Sequence, residues 1–245
     1  MRAAARTPWD TGDEKQQVTV VGHRGDPYRF RENTLPSLQA AFERGADQVE
    51  VDVRLTRDRV PVLLHDATLE RLWGHERTLA RLTAAELREL TGGGVPTLPE
   101  ALEAADGRRL LLDLPGEIDG RTARTVVGAV REAGAEDSVA YCAGTSAMLA
   151  VRAADPEAEI SLTWTTLAPP RPVVLEAVRP RLLNYRFGLL GPELVERVHA
   201  QGLLVSAWTA DTRRSMRRLV GCGVDSVTTN RPDVLRGVLD GGRRG

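Results

Sequence analysis

The sequence predicts an α/β fold, a (β/α)8 TIM barrel, from three observations. Nine short β-rich runs alternate with amphipathic helical stretches, which is typical of βαβ units and a mostly parallel sheet. One link, TRDR at 56–59, is too short for a parallel crossover, so its flanking strands must form an antiparallel hairpin within residues 48–65. Eight strands then remain for a barrel. An open doubly wound sheet would usually carry a glycine-rich phosphate loop, and the sequence contains no GxGxxG or Walker-type segment, which favours the barrel.

The strands are predicted at runs that are apolar without strict alternation, as expected where helices cover one side of a sheet. These runs are 18–22, 48–55, 60–65, 109–114, 138–143, 159–164, 181–185, 203–209 and 224–229. The helices predicted between them are 34–45, 83–90, 97–105, 121–134, 191–202 and 211–223. Thr83 and Glu86 form a capping box at the start of the second helix.

Length and composition exclude several classes of protein. The chain has 245 residues, within the range of one large domain, and a formal net charge of -1, so no nucleic-acid partner is expected. Residues 1–17 are polar and lack the apolar segment of a signal peptide, which predicts a flexible arm before a single barrel domain at 18–245. No run approaches the ~20 apolar residues of a membrane span. A cytoplasmic protein without stable membrane association is expected, and the oligomeric state stays open.

Three carboxylates are candidate metal ligands. Glu50 and Asp52 lie two apart on one predicted strand, so both point to the same side, and Asp113 stands alone in the apolar run LLLDLP. An outward, solvated pair is the alternative, but the valines at alternate positions of VEVDV favour acids that face the barrel interior. Buried like charges are costly unless a cation neutralises them. Oxygen ligands without cysteine favour Mg²⁺ or Ca²⁺ over Zn²⁺.

Two histidines are predicted close to these acids. His23 ends a strand in VGHRG, and His65 follows the hairpin in PVLLHD. An unperturbed imidazole titrates near neutral pH and suits acid–base catalysis, and Arg24 offers a guanidinium for a phosphate oxygen. Two imidazoles, an arginine and a divalent cation indicate hydrolysis of a phosphodiester. One imidazole would activate the nucleophile and the other would protonate the leaving alkoxide.

The stretch VGHRGDPYRFRENTLPSLQAAFERGADQVEVDVRLTRDRVPVLLHDATLERLWG, residues 21–74, resembles the N-terminal signature of glycerophosphodiester phosphodiesterases. It carries HRG, ENT, GAD, ExD and HD in the order of that family. The likeness continues through TLPEALEA at 97–104 and ends with VSAWTAD and GVDSVTTNRPDVL within 205–235. The resemblance implies a TIM barrel that hydrolyses glycerophosphodiesters, as small-molecule substrates, to glycerol 3-phosphate and an alcohol. It also implies a bound Mg²⁺ or Ca²⁺ ion.

The resemblance also implies roles for individual positions. By position, His23 and His65 are the acid–base pair, Arg24 is a phosphate ligand and Trp208 lines the glycerol pocket. The implied metal ligands are Glu50, Asp52 and Asp113. A hydroxyl of the substrate glycerol is expected to attack first, giving a cyclic phosphate that water then opens.

The chain departs from the family pattern around Pro115, at Asn230, and at Arg31, where the family tends to have proline before ENT. Where the family has Glu-x-Lys, this chain has Asp113-Leu114-Pro115, so a proline stands where a lysine is expected to meet the phosphate. Lys15 is the only lysine, and Arg31 and Arg186 are the candidate substitutes. Asn230 replaces the common aspartate of TDRP and is expected to be structural.

Two alternatives stay open at this level. One is a lipid-directed relative, such as a lysophospholipase D-like enzyme. The other is a non-catalytic barrel that binds phosphorylated ligands, which the loss of the lysine at Pro115 motivates. The presence of both histidines and all three carboxylates favours an enzyme over a binding protein.

Overall fold

The fold contains eight parallel strands closed into a barrel. It is taken from a computed structural model that describes residues 17–241, so all but the last residue of the predicted arm lies outside the described part. The described strands are β1 (Thr19–His23), β2 (Gln48–Leu55), β3 (Pro61–Leu63), β4 (Thr68–Leu69), β5 (His75–Thr78), β6 (Arg109–Asp113), β7 (Val139–Ala143), β8 (Glu159–Trp164), β9 (Leu182–Arg186), β10 (Leu204–Trp208) and β11 (Ser226–Thr229). The barrel strands pair in the order β1, β2, β6, β7, β8, β9, β10 and β11, and β11 pairs with β1 to close it. The predicted TIM barrel is confirmed.

The helices lie between consecutive barrel strands and cover the barrel. They are α1 (Leu35–Glu43), α2 (Glu70–Trp73), α3 (Ala84–Thr91), α4 (Leu98–Ala105), α5 (Gly120–Glu132), α6 (Thr145–Ala154), α7 (Pro172–Val178), α8 (Pro192–His199), α9 (Arg213–Gly221) and α10 (Pro232–Gly241). The six predicted helices are all present. The capping box of Thr83 and Glu86 is confirmed at the start of α3. The prediction missed α2, α6, α7 and α10, and α6 and α7 begin without a side-chain cap that would have marked them.

Alternation along β2 separates the core from the site. Val49, Val51 and Val53 are buried in the main hydrophobic core between the sheet and the helices, as the valine spacing predicted. The intervening Glu50 and Asp52 therefore point into the barrel. A separate interior cluster consists of Val21, Leu111, Ala140 and Cys142. Val21 and Leu111 lie two residues before His23 and Asp113 on the same strands, so this cluster fills the barrel interior below the polar residues.

The antiparallel hairpin is also confirmed, because β3 pairs with β2 through Val53 opposite Leu63 and Leu55 opposite Pro61. The chain then makes an excursion from residue 64 to residue 97 before it returns to the barrel layer. This excursion has a small hydrophobic core of its own, made of Val62, Leu64, Leu69, Leu79, Leu82, Leu87 and Val95. We call it the excursion core. No helix within residues 17–241 has the length and apolar character needed to span a membrane.

Candidate active site

A cavity of about 250 Å³ opens at the carboxyl ends of the barrel strands. All seven predicted site residues line it, namely His23, Arg24, Glu50, Asp52, His65, Asp113 and Trp208. Asn184, which the sequence also places at a strand end, lines the cavity as well, together with residues that the sequence did not single out, namely Leu111, Cys142, Thr163, Thr209 and Thr228. The structure therefore gathers the predicted residues at one place, where TIM barrels carry their active sites.

The acidic cluster of Glu50, Asp52 and Asp113 lies at the base of this cavity. One carboxylate oxygen of each residue lies within 4.8 Å of the others. Burial, reinforced by Asp52 and Asp113, raises the pKa of Glu50 well above its usual range, and burial with Asp52 raises the pKa of Asp113 to about 7. The three carboxylates thus repel one another in a desolvated space. Three buried oxygen donors with excess negative charge fit a hard divalent cation such as Mg²⁺ or Ca²⁺.

Hydrogen bonds fix the position of Asp52. The side-chain amide of Asn33 donates to Asp52 Oδ2 at 2.8 Å, and the backbone N–H of Asp52 donates to Asn33 Oδ1 at 3.1 Å. Asn33 has a φ of 57°, a left-handed conformation that asparagine adopts more readily than most residues. The asparagine of the ENT motif therefore orients a candidate metal ligand.

Arg24 joins the acidic cluster to the loop after β1. Its backbone N–H donates to Glu50 Oε2 at 2.9 Å, Nε lies 3.1 Å from Asp52 Oδ2, and Nη1 donates to Glu32 Oε1 at 2.9 Å. Burial acts against the charge of Arg24, but Asp52, Glu32 and Glu50 raise its pKa above the usual value. Gly25 follows with a φ of 91°, where a Cβ would overlap Ser37. The HRG turn therefore requires glycine at position 25, and this turn lets Arg24 contact Glu50 and Asp52.

The imidazole of His23 is held by a neutral amide. Nδ1 of His23 lies 2.8 Å from Oδ1 of Asn230, and the Nδ2 of Asn230 donates to Asp211 Oδ2 at 2.7 Å. Because the amide nitrogen must face the carboxylate of Asp211, its oxygen faces His23, so Nδ1 carries the proton and Nε2 has the free lone pair. Burial, followed by the charge of Arg24, lowers the pKa of His23. His23 is thus a neutral imidazole with an acceptor nitrogen.

The imidazole of His65 is held by a carboxylate instead. Nδ1 of His65 lies 2.8 Å from Oδ1 of Asp66, and the other oxygen of Asp66 accepts a hydrogen bond from Arg71 Nε at 2.6 Å. That hydrogen bond from Arg71 is the main reason why the pKa of Asp66 is lowered. Arg71 also donates to Glu32 at 2.6 Å, and Glu32 in turn binds Arg24. A continuous set of charged contacts therefore connects the two histidine-bearing loops.

The opposite wall of the cavity has two buried polar atoms without a hydrogen-bond partner among residues 17–241. They are Oδ1 of Asn184, an acceptor, and Nε1 of Trp208, a donor. The side-chain nitrogen of Asn184 faces Cys142 Sγ at 3.2 Å, which leaves Oδ1 as the free atom. Burial raises the pKa of the Cys142 thiol well above its usual range, so this cysteine is neutral. A hydroxyl group both donates and accepts, so it is chemically suited to either atom.

Several residues differ from their expected places. The guanidinium of Arg31 lies 4.1 Å from the ring centroid of Trp73, and Arg186, the last residue of β9, is exposed. Neither candidate substitute for the lysine lines the cavity. Asn230, expected to be structural, contacts His23 directly. Asp66 stands beside His65 in the HD motif, a signal visible in the sequence. The roles of Asn230 and Arg71 depend on contacts across the fold, which no local pattern reveals.

Comparisons with known proteins agree with this geometry. The Glycerophosphoryl diester phosphodiesterase family profile matches residues 23–234. A glycerophosphodiester phosphodiesterase of Caldanaerobacter subterraneus subsp. tengcongensis is 29% identical over 237 residues, which cover 89% of this chain and 96% of the relative. A Mycobacterium tuberculosis protein named probable glycerophosphodiester phosphodiesterase 2 is 30% identical over 245 residues and covers 90% of each chain.

Solved structures agree on the fold and on the family. The crystal structure of a Silicibacter pomeroyi protein described as a "putative glycerophosphoryl diester phosphodiesterase" superposes with a TM-score of 0.83 at 25% identity. The superposition covers 94% of this chain and 95% of that one. The chain belongs to the glycerophosphoryl diester phosphodiesterase family, whose members are phosphoric diester hydrolases.

Proposed function

We propose that this chain hydrolyses glycerophosphodiesters to glycerol 3-phosphate and an alcohol in a metal-dependent reaction, with His23 as general base and His65 as general acid. One observation carries the assignment: both imidazoles line the same cavity, but a neutral amide holds one and a carboxylate holds the other. The names of the Caldanaerobacter and Mycobacterium relatives support the substrate class.

The metal would be held by Glu50, Asp52 and Asp113, whose carboxylate oxygens lie together and whose mutual repulsion a cation relieves. When bound, Mg²⁺ or Ca²⁺ supplies Lewis-acid stabilisation of the negative charge on a phosphoryl oxygen. Arg24 contributes a second positive charge beside these ligands. Two of its guanidinium nitrogens already contact carboxylates, so Nη2 is the atom left for the phosphate.

His23 removes a proton from the attacking hydroxyl. Its Nδ1–H donates to Asn230, so Nε2 is the nitrogen that accepts the proton while the hydroxyl oxygen forms a bond to phosphorus. His65 donates a proton from Nε2 to the departing alkoxide as the P–O bond breaks. The carboxylate of Asp66 compensates the positive charge of the protonated imidazole before transfer.

The glycerol side of the substrate would lie against Asn184 and Trp208. Their unpaired acceptor and donor atoms match the hydroxyl groups of glycerol, and Trp208 adds an apolar face. A glycerol hydroxyl held here is positioned to be the nucleophile of the first step, which yields a cyclic phosphate. Water then opens that ring, with the two histidines exchanging roles.

The test is hydrolysis of glycerophosphocholine with Mg²⁺ or Ca²⁺, followed by an assay of glycerol 3-phosphate. Turnover by the wild type, loss with EDTA and loss in His23→Ala and His65→Ala are expected. His75→Gln is the matched control, because His75 lies outside the cavity and contacts the carbonyl of Leu90. The proposal is ruled out if the protein cleaves no glycerophosphodiester and the addition of EDTA changes nothing in the assay. Tight binding of the diester without turnover identifies a non-catalytic barrel.

A lysophospholipase D-like activity is the second candidate, and exposed apolar side chains favour it. Tyr28 and Phe30 follow β1 and are 68% and 45% exposed, while Leu167 and Val173 follow β8 and are 56% and 61% exposed. All four lie beyond the carboxyl ends of barrel strands, on the side of the molecule where the cavity opens. A higher kcat/KM for lysophosphatidylcholine than for glycerophosphocholine decides for this alternative.

A further inference from the structure

Arg24, which lines the cavity, and Arg71, which lies beside His65 and Asp66, are largely occupied by carboxylates of the protein. Arg24 contacts Asp52 and Glu32 through Nε and Nη1. Arg71 contacts Asp66 and Glu32 through three hydrogen bonds. A phosphodiester brings further negative charge toward the acidic cluster, so a positive group that is not already paired is valuable there.

Arg54 is such a group, and although it does not line the cavity itself, it contacts His65, which does. It follows Glu50 and Asp52 at alternate positions of β2, so it lies on the same side of the strand, one level nearer the open end of the barrel. Its Nε donates to the backbone carbonyl of His65 at 2.7 Å. Within residues 17–241 this is the hydrogen bond that the structure records for the Arg54 guanidinium, and both Nη groups stay unpaired.

Arg54 and Pro115 lie close together. The parallel pairing of β2 and β6 ends with Asp52 opposite Asp113, so residues 54 and 115 each follow two positions after the last paired residues, and both line one pocket. Proline provides no charge and no N–H donor. The Nη1 atom of Arg54 lies 3.6 Å from the position that a Cβ on Gly116 would take, and it is the one described atom within 4 Å of that position. The guanidinium therefore extends over the Pro115–Gly116 segment.

The Arg54 guanidinium lies within the electrostatic field of carboxylates at the site. The carboxylates of Asp52, Asp66 and Asp113 interact electrostatically with the Arg54 guanidinium. Arg54 and Pro115 line a second pocket, together with Ala67 and Glu117. The side chain is half-buried there, and its hydrogen bond to the carbonyl of His65 connects it to a residue that lines the site cavity.

We propose that Arg54 is a substrate-binding residue of this chain, which donates from its free Nη groups to a phosphoryl oxygen and provides the positive charge that the position of Pro115 lacks. The proposal rests on the proposed function, because it assumes a phosphodiester at the acidic cluster. The same side chain also holds the backbone of His65, so a purely structural role has to be distinguished from contact with the substrate.

Four variants make that distinction: Arg54→Met, Arg54→Lys, the double variant Arg54→Met with Pro115→Lys, and the control Arg57→Met. Arg57 lies in the hairpin turn, exposed and paired with Glu86, outside both pockets. Loss of a charge-assisted contact predicts a fall of about 10- to 100-fold in kcat/KM for glycerophosphocholine in Arg54→Met. Arg54→Lys keeps the positive charge, so its kcat/KM should lie between those of Arg54→Met and the wild type. The double variant should regain about tenfold over Arg54→Met, because the lysine restores charge at the same level.

Calorimetry with glycerol 3-phosphate in the presence of Ca²⁺ gives the second readout. Substrate contact predicts weaker binding in Arg54→Met by a similar factor, restored in the double variant. A structural role through His65 predicts unchanged affinity, a lower kcat and no rescue by Pro115→Lys, and this result would overturn the proposal. Unchanged kcat/KM in Arg54→Met would also overturn it.

The two proposals fail separately. A wild type that cleaves no diester defeats the proposed function, yet the affinities of wild type and Arg54→Met for glycerol 3-phosphate still test Arg54. Should Arg54→Met lack a cooperative thermal transition, Arg54→Lys and Arg54→Gln are compared by the same calorimetry. Equal affinity in these two variants and the wild type counts against the contact.

Discussion

Nδ1 of His23 lies 2.8 Å from Oδ1 of Asn230, and this contact decides which imidazole nitrogen faces the cavity. The hydrogen bond raises the pKa of His23, whereas burial and Arg24 lower it more strongly. A general base works only when it is neutral, so activity is lost as the pH falls through its pKa. The acidic limb of the kcat/KM profile is therefore expected below the unperturbed histidine value of about 6.5.

Replacing Asn230 by alanine tests this relationship. Without the hydrogen bond the pKa of His23 falls further, so the acidic limb of kcat/KM should move to lower pH. The unrestrained ring should also lower kcat by about 10-fold, as for other residues that orient a catalytic histidine. The pH profile of glycerophosphocholine hydrolysis measures both effects. His75→Gln is the control and should show the wild-type profile. If the acidic limb of kcat/KM stays at the wild-type pH in Asn230→Ala, His23 is not the base that titrates in this limb.

Asp66→Asn tests the assignment of His65 as general acid. A proton donor matters most when the leaving alkoxide is basic, so the variant should lose about 10²- to 10³-fold on glycerophosphocholine. A p-nitrophenyl phosphodiester releases a weakly basic phenolate, so the loss there should be less than about 10-fold. Steady-state rates on the two substrates give the comparison. Equal losses of rate on the two substrates would indicate that Asp66 stabilises the fold or contacts the substrate and does not assist proton donation by His65.

Asp113→Asn tests the metal site through stability. In metal-free protein the substitution removes one of three repelling carboxylates, so its Tm should rise by about 2–5 °C. Ca²⁺ or Mg²⁺ should raise the Tm of the wild type by mass action and affect the variant little. Thermal unfolding with EDTA and with added metal provides the measurement. The hypothesis fails if metal stabilises Asp113→Asn as much as it stabilises the wild type.

Asn184→Leu tests the hydroxyl-binding wall. Leucine is similar in size but leaves a bound hydroxyl without an acceptor, so the affinity for glycerol 3-phosphate should fall about 10- to 100-fold. Inorganic phosphate lacks the glycerol and should bind with unchanged affinity. Competitive inhibition constants for the two ligands decide the matter. Parallel weakening of both would show that the variant disturbs the phosphate site instead.

Gly25→Ala tests the HRG turn. Gly25 has a φ of 91°, and a Cβ there would overlap the backbone and side chain of Ser37. We expect destabilisation of about 2–4 kcal/mol from combined strain and overlap. Gly74→Ala is the matched control, because Gly74 also has a positive φ but open space around it, so it should cost only about 1 kcal/mol. Denaturant unfolding measures both, and equal losses would show that the packing against Ser37 contributes nothing.

Local sequence patterns predicted the barrel and the chemistry-bearing residues, because strand-end positions and alternation are local properties. The valines of β2 and the short TRDR link were enough to direct Glu50 and Asp52 inward and to fold the hairpin. Contacts between distant segments were not predictable in this way. The partnership of His23 with Asn230 spans 207 residues, and the proximity of Arg54 to Pro115 depends on the register of two strands. Helices without a capping side chain, such as α6, also gave no local signal.

His23 and His65, the proposed acid–base pair, are supported by different hydrophobic cores. His23 stands on the barrel itself, whereas His65 and its partners Asp66 and Arg71 belong to a segment packed around a handful of leucines and valines. A core of that size is expected to loosen at a lower temperature than the barrel. Warming should therefore displace His65, the proposed proton donor, while His23 and the acidic cluster stay in place. The heated protein is then expected to lose hydrolysis at a lower temperature than it loses substrate binding.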